Sequence, residues 1–231
     1  MAINSTAAQP PTLLHVTASP RTASISTAVS GEVVAAWLAA HPGGRVIRRD
    51  LGAHPVPHIT DAWTEICDNL MRDRITALDR LHEGVRTEAQ REAWAVVEPL
   101  LAELVEAEVV VLATPMYNYS ISSSLKAWLD QVTFPRMDLP PREFVVVAAR
   151  GGWYGEGSPH AGVEHQTRYL SDFVQGHYGV RAPVTVTVDL ANSRVDPLLA
   201  DARDAHHLSY EAALDQARAA GSALGEWSVV S

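Results

Sequence analysis

A chain of 231 residues with 47% hydrophobic and 19% charged side chains has a globular composition, long enough to bury a full core and most economically one domain. Its formal charge of −9 argues against nucleic acid or an anionic membrane as the main partner. Cys67 stands alone, which excludes a disulfide framework and a cysteine-built zinc site, and no apolar run approaches the ~20 residues of a membrane-crossing helix.

Met1 to Pro10 are small and polar and lack the charged start and apolar core of a signal peptide. They read as a disordered extension ahead of one domain over 11–231, in a cytoplasmic protein. Thr12 to Ala18 reads as a first strand. Val29, Val33, Trp37 and Ala40 recur every three or four residues, which predicts a helix over 26–40, stopped by Pro42-Gly43-Gly44. Arg45 to Leu51 mixes Val46 and Ile47 with three arginines and predicts a strand at a sheet edge. Two long helical stretches follow, 61–82 and 87–106. Thr87-x-x-Gln90 opens the second as a capping box, and Pro99 should kink or split it.

The run 108–113 is wholly apolar apart from Glu108 and reads as a buried strand; a helix over 122–133 and a Val/Ala-rich strand over 144–149 come next. Residues 163–178 predict a helix with Leu170, Phe173, Val174 and His177 on one face. Val184 to Val188 alternates with period two, as a half-exposed strand does, and an alanine-rich helix over about 198–221 follows. Five strands alternating with helices predict a parallel sheet covered on both faces. Periodicity leaves a Rossmann and a flavodoxin-like strand order open.

Three loops at carboxyl ends of these strands carry chemistry, because open α/β sheets bind ligands there. Ser19, Ser24, Ile25 and Ser26, with Arg21, surround the start of the first helix, where free N–H groups and a partial positive charge favour a phosphate. Ser24 or Ser26 would also serve as an ordinary helix cap. No G-x-G-x-x-G and no phosphate-binding G-K-[ST] is present. Pro115, Met116, Tyr117, Asn118 and Tyr119 offer flat apolar surface and one amide, suited to an aromatic heterocycle with polar edges. Arg150, Gly151 and Gly152 offer close backbone approach, with Trp153 and Tyr154 as a stacking surface. His54, His58, His206 and His207 lack the spacing and acidic company of metal ligands, and Cys67 reads as core filling.

At Pro115-Met116-Tyr117-Asn118-Tyr119, followed by Ile121-Ser122 and Leu125-Lys126, the chain resembles the FMN-dependent NADH-azoreductase family of flavodoxin-like quinone and azo reductases. Arg49-Asp50-Leu51 with Pro55-x-Pro57, Arg150-Gly151-Gly152 and Tyr169-Leu170-Ser171-x-Phe173 support the match. The resemblance implies an α/β flavodoxin-like sheet of order 2-1-3-4-5. It also implies non-covalent FMN with its phosphate on Ser19, Ser24, Ile25 and Ser26 and its ring bordered by 116–119 and 150–152. It implies NADH or NADPH as donor, a quinone or azo acceptor, ping-pong turnover and a homodimer. An electron-transfer carrier without a small substrate, and a flavin-free protein using the same crevice, are the competing readings. Ala149 stands where relatives have a serine, and the segment 135–143 is short beside theirs.

Overall fold

The computed structural model describes residues 10–225; of the extension expected over 1–10, only Pro10 lies within them. Five strands, β1 (Thr12–Thr17), β2 (Arg45–Asp50), β3 (Val109–Pro115), β4 (Glu143–Ala149) and β5 (Val184–Val188), form a parallel sheet ordered β2-β1-β3-β4-β5. Six helices alternate with them: α1 (Ile25–Ala40), α2 (Asp61–Asp73), α3 (Glu88–Glu106), α4 (Ser123–Val132), α5 (Gln166–Tyr178) and α6 (Arg203–Ala223). The fold is flavodoxin-like. The arginine-bearing strand is indeed an edge, and the half-exposed period-two strand is the other edge.

Alternate residues of each central strand serve opposite faces, as the pleat requires. Leu14, Val16, Val110, Leu112, Val146 and Ala148 pack under α2 to α5, and Leu13, Val109, Val111, Val145 and Val147 pack under α1 and α6. No helix among the described residues is long and apolar enough to cross a membrane.

Several boundaries depart from the periodicity. The helix expected over 61–82 ends at Asp73, where Arg74 takes a left-handed conformation (φ 58°) and returns its N–H to Leu70 and Met71, and a 3₁₀ turn (Leu78–Gly84) follows. Pro99 does not split α3. It removes one hydrogen bond, to the Ala95 carbonyl four residues back, and both residues face solvent, so water can serve that oxygen. The Thr87–Gln90 capping box forms as expected. α5 begins at Gln166 because the Glu164 carboxylate accepts from Gln166 N and Thr167 N, both at 2.9 Å. His177 is exposed, and the neighbouring Tyr178 takes the buried place.

α6 lies tightly along α1. A Cβ at Gly221 would stand 2.2 Å from the Val33 carbonyl oxygen and 2.9 Å from Ala36 Cβ. Gly221→Ala gains about 1 kcal/mol of helix propensity, but the overlap is with backbone and forces the helices apart. A net loss of about 1–3 kcal/mol is expected. A urea midpoint equal to or above that of the wild type would refute this.

Candidate functional site: a cleft at the carboxyl ends of the strands

The chain leaves β1 at Thr17 and turns through 18–24 into α1. Ser24 is the N-cap, its Oγ accepting from Thr27 N at 3.2 Å, and its hydroxyl lies 3.2 Å from that of Ser26. The first-turn N–H groups of Ile25 and Ser26 have no acceptor inside the helix and carry its partial positive charge. Ser19 Oγ accepts from Arg21 N at 3.3 Å. Gly52 backs this turn, since a Cβ there would come 2.4 Å from the Ser19 carbonyl oxygen. The cap and the free first-turn N–H groups therefore share one turn.

β3 ends at Pro115, opposite Ala149, and Met116 N donates to Ala149 O at 2.7 Å. Tyr117 and Ser120 then exchange backbone hydrogen bonds of 2.9 and 3.0 Å, closing a tight turn around Asn118 (φ 48°) and Tyr119 (φ 68°). Asparagine tolerates the left-handed region, whereas tyrosine is strained there. The turn is anchored from outside, because Tyr119 O accepts from His165 N at 2.9 Å and its ring meets Tyr154 edge-on at 6.3 Å.

After β4, residues 150–152 are laced to the segment following β5. Arg150 N donates to Val188 O (2.8 Å), Ala191 N to Arg150 O (3.0 Å), Asn192 N to Gly151 O (3.1 Å) and Leu190 N to Gly152 O (3.1 Å). The N–H groups of Gly151 and Gly152 donate to nothing among the described residues. The Arg150 guanidinium is buried and paired with Asp189 at 2.7 Å, with Glu164 at 3.9 Å. Burial pushes the Asp189 carboxyl above the usual aspartate range against the pull of Arg150. Burial also raises Glu164, but hydrogen bonds from Thr167 and Gln166, with Arg150, bring it below the usual range. His206 Nδ1 donates to the Asp189 carbonyl at 2.7 Å, a packing role.

These pieces meet in one crevice. A groove of about 260 Å³ runs from Ser19, Ser24, Ile25 and Ser26 past Pro115, Met116 and Tyr117 to Arg150 and Gly151. It adjoins a bay of about 1000 Å³ lined by Asn118, Tyr119, Gly152, Tyr154 and Tyr169, and Met116, Tyr117, Gly151 and Asn192 border both spaces. One end is a cluster of hydroxyls and free N–H groups, and the other is aromatic with amides at its margin.

A family model for the flavodoxin-like fold matches residues 11–214. An FMN-dependent NADH:quinone oxidoreductase of Nocardia farcinica is 56% identical over 211 residues, 91% of this chain and 98% of that protein. The protein of the same description from Frankia alni is 34% identical over 92% of this chain and 100% of its own length. The chain belongs to the flavodoxin-like family of FMN-dependent NADH:quinone oxidoreductases. Among solved structures, an azoreductase from Bacillus anthracis str. Sterne superposes with a TM-score of 0.72 at 22% identity, over 92% of this chain and 99% of that one. An FMN-dependent NADH-azoreductase from Bacillus anthracis str. Ames Ancestor, in complex with FMN, superposes at 0.67 and 19% identity, over 90% and 99%. At these identities the superpositions speak to the fold.

As a member of this oxidoreductase family, the chain brings together all the loop residues singled out from its sequence except one. Trp153 does not line the cleft. Its indole lies against Gly155, where a Cβ would be 2.6 Å from Nε1, and remains 45% exposed. Tyr154 supplies the aromatic wall instead. Arg150 borders the groove, but its charge is spent on Asp189. Asn192 and Arg194, which sequence reasoning passed over, form a fourth wall. The rule that located the other loops would have found them, since they follow β5 at the same edge. Asn192 also explains Gly151: a Cβ there would stand 2.5 Å from the Asn192 amide nitrogen. Cys67 is buried among apolar side chains, and burial together with Asp68 holds its thiol up to about 12, which leaves it inert.

Proposed function

We propose that this chain binds FMN in the cleft and catalyses NADH- or NADPH-dependent reduction of quinones or azo compounds. The convergence of the three predicted loops on one crevice carries the reading. Its chemistry fits the cofactor end to end. The α1 N-terminus with Ser19, Ser24, Ile25 and Ser26 would hold the phosphate. Met116, Tyr117, Asn118 and Tyr119 would border the ring, and the free N–H groups of Gly151 and Gly152 would face its pyrimidine edge. FMN held there would supply the redox chemistry between a nicotinamide donor and the acceptor.

The protein's own contribution is position and electrostatics. The two glycine N–H groups are preset donors for negative charge on that edge. The strained turn at Asn118–Tyr119 fixes the amide and ring contacts before any ligand arrives. Tyr117, Tyr119 and Tyr154 supply the site's aromatic walls. No side chain is assigned a proton-transfer role.

The bay beside the ring end is large enough for a nicotinamide or a quinone in turn, which supports a ping-pong order and argues against a carrier without a small substrate. Tyr117 and Tyr119 stand 40% and 48% exposed at the mouth, and a second copy of the chain covering them would make the working unit a homodimer. FMN titrated into apoprotein should lose its fluorescence, and NADH oxidation should then require both FMN and menadione. Flavin binding without turnover would favour an electron carrier; no flavin binding would end the reading.

A further inference from the structure

A phosphate monoester carries about −1.5 to −2 charge at neutral pH. The hydroxyls and N–H groups of 19–26 are neutral donors, and the chain as a whole is strongly acidic. Arg21, Arg150 and Arg194 all border the groove. The Arg150 guanidinium is already bound to Asp189. Arg21 and Arg194 are both exposed, and neither side chain has an acceptor among the described residues.

Arg194 differs from Arg21 in what holds its backbone; Arg21 N has a single contact, to Ser19 Oγ at 3.3 Å. The Arg194 backbone is set by the same lacing that fixes the glycine loop. Asn192 N holds Gly151 O, and Val195 N holds Asn192 O at 3.0 Å. The buried Ser193 donates its hydroxyl to Leu190 O at 2.8 Å and receives Arg203 Nε on its carbonyl at 3.0 Å. The carboxylate next along, Asp196, accepts from Leu198 N at 2.9 Å and serves as a cap.

We propose that Arg194 clamps the phosphate of the bound flavin and makes the site select FMN over riboflavin, which has the same ring and no phosphate. This rests on the functional reading above. A guanidinium suits the task because its planar fork can grip two phosphate oxygens at once. Arg194 also borders a separate cavity of about 620 Å³ with His206, His207 and Tyr210. A side chain committed to that cavity would contribute nothing to flavin affinity.

Fluorescence titrations of FMN and riboflavin into wild-type, Arg194→Gln and Arg194→Lys apoprotein decide the matter. Loss of one charge-assisted contact should weaken FMN about 10- to 100-fold in Arg194→Gln. Riboflavin should bind both proteins within about twofold, and Arg194→Lys should recover part of the FMN affinity. Equal weakening of both flavins, or unchanged FMN affinity, would overturn the clamp while leaving the functional reading intact. A wild type that binds neither flavin would overturn both.

Discussion

Arg150→Met is expected to cost about 3–5 kcal/mol of stability near neutral pH, because removing one partner of a buried ion pair strands the other. Here it strands Asp189 and takes a favourable charge from Glu164, which keeps its hydrogen bonds from Gln166 and Thr167. Both carboxylates are buried or nearly so. With the arginine gone, both take up protons more readily. The folded variant then binds more protons than the unfolded chain, so its deficit shrinks as pH falls. Urea unfolding at about pH 7 and about pH 5 should show the gap to wild type narrowing on acidification. A variant within about 1 kcal/mol of wild type at neutral pH would refute the assignment. Replacing Asp189 with leucine in the same chain should restore part of the loss, since one stranded charge is then removed.

The second large effect concerns His15, buried on β1 beneath α1. Its Nε2 lies 2.7 Å from Ser30 Oγ, and Arg48 on the edge strand approaches Nδ1 at 3.3 Å. Burial, with the Arg48 charge, holds the ring down to about 4. The unfolded chain titrates near 6.5, so between those values it binds the proton that the folded protein refuses. Stability from this group is complete above about pH 6.5 and falls away toward pH 4, by roughly 3 kcal/mol in total. Denaturation of wild type and His15→Gln across that range isolates the term. The glutamine variant should lose less on acidification, and parallel curves would refute the claim.

How much of this was legible beforehand follows from which forces act locally. Burial on both faces wrote β3 and β4 into unbroken runs of valine and other apolar residues. Three arginines on β2 disclosed an edge, since such side chains need solvent on at least one side. Periodicity was blind to strand order, which came with the Met116–Tyr119 motif. Helix ends were misjudged where a non-glycine residue does the stopping, as Arg74 does, or where a glutamate caps from outside, as Glu164 does. Pro99 misled because the cost of a proline depends on whether the orphaned carbonyl meets water. The direction of a loop side chain is set by tertiary packing, so Trp153 and Tyr154 could not be told apart. Asn192 and Arg194 went unnoticed because they carry no aromatic or glycine signature and become a wall only through lacing to residues forty positions earlier.

The cleft has a consequence for the lifetime of the protein. Its walls come from strand ends spread between Ser19 and Arg194, so no fragment short of the whole sheet offers a complete binding surface. A ligand that recognises only the assembled state shifts the folding equilibrium by mass action, about 1.4 kcal/mol for every tenfold excess over its dissociation constant. Flavin supply would then govern how long each molecule survives proteolysis, and cells starved of the vitamin would lose the polypeptide as well as its activity.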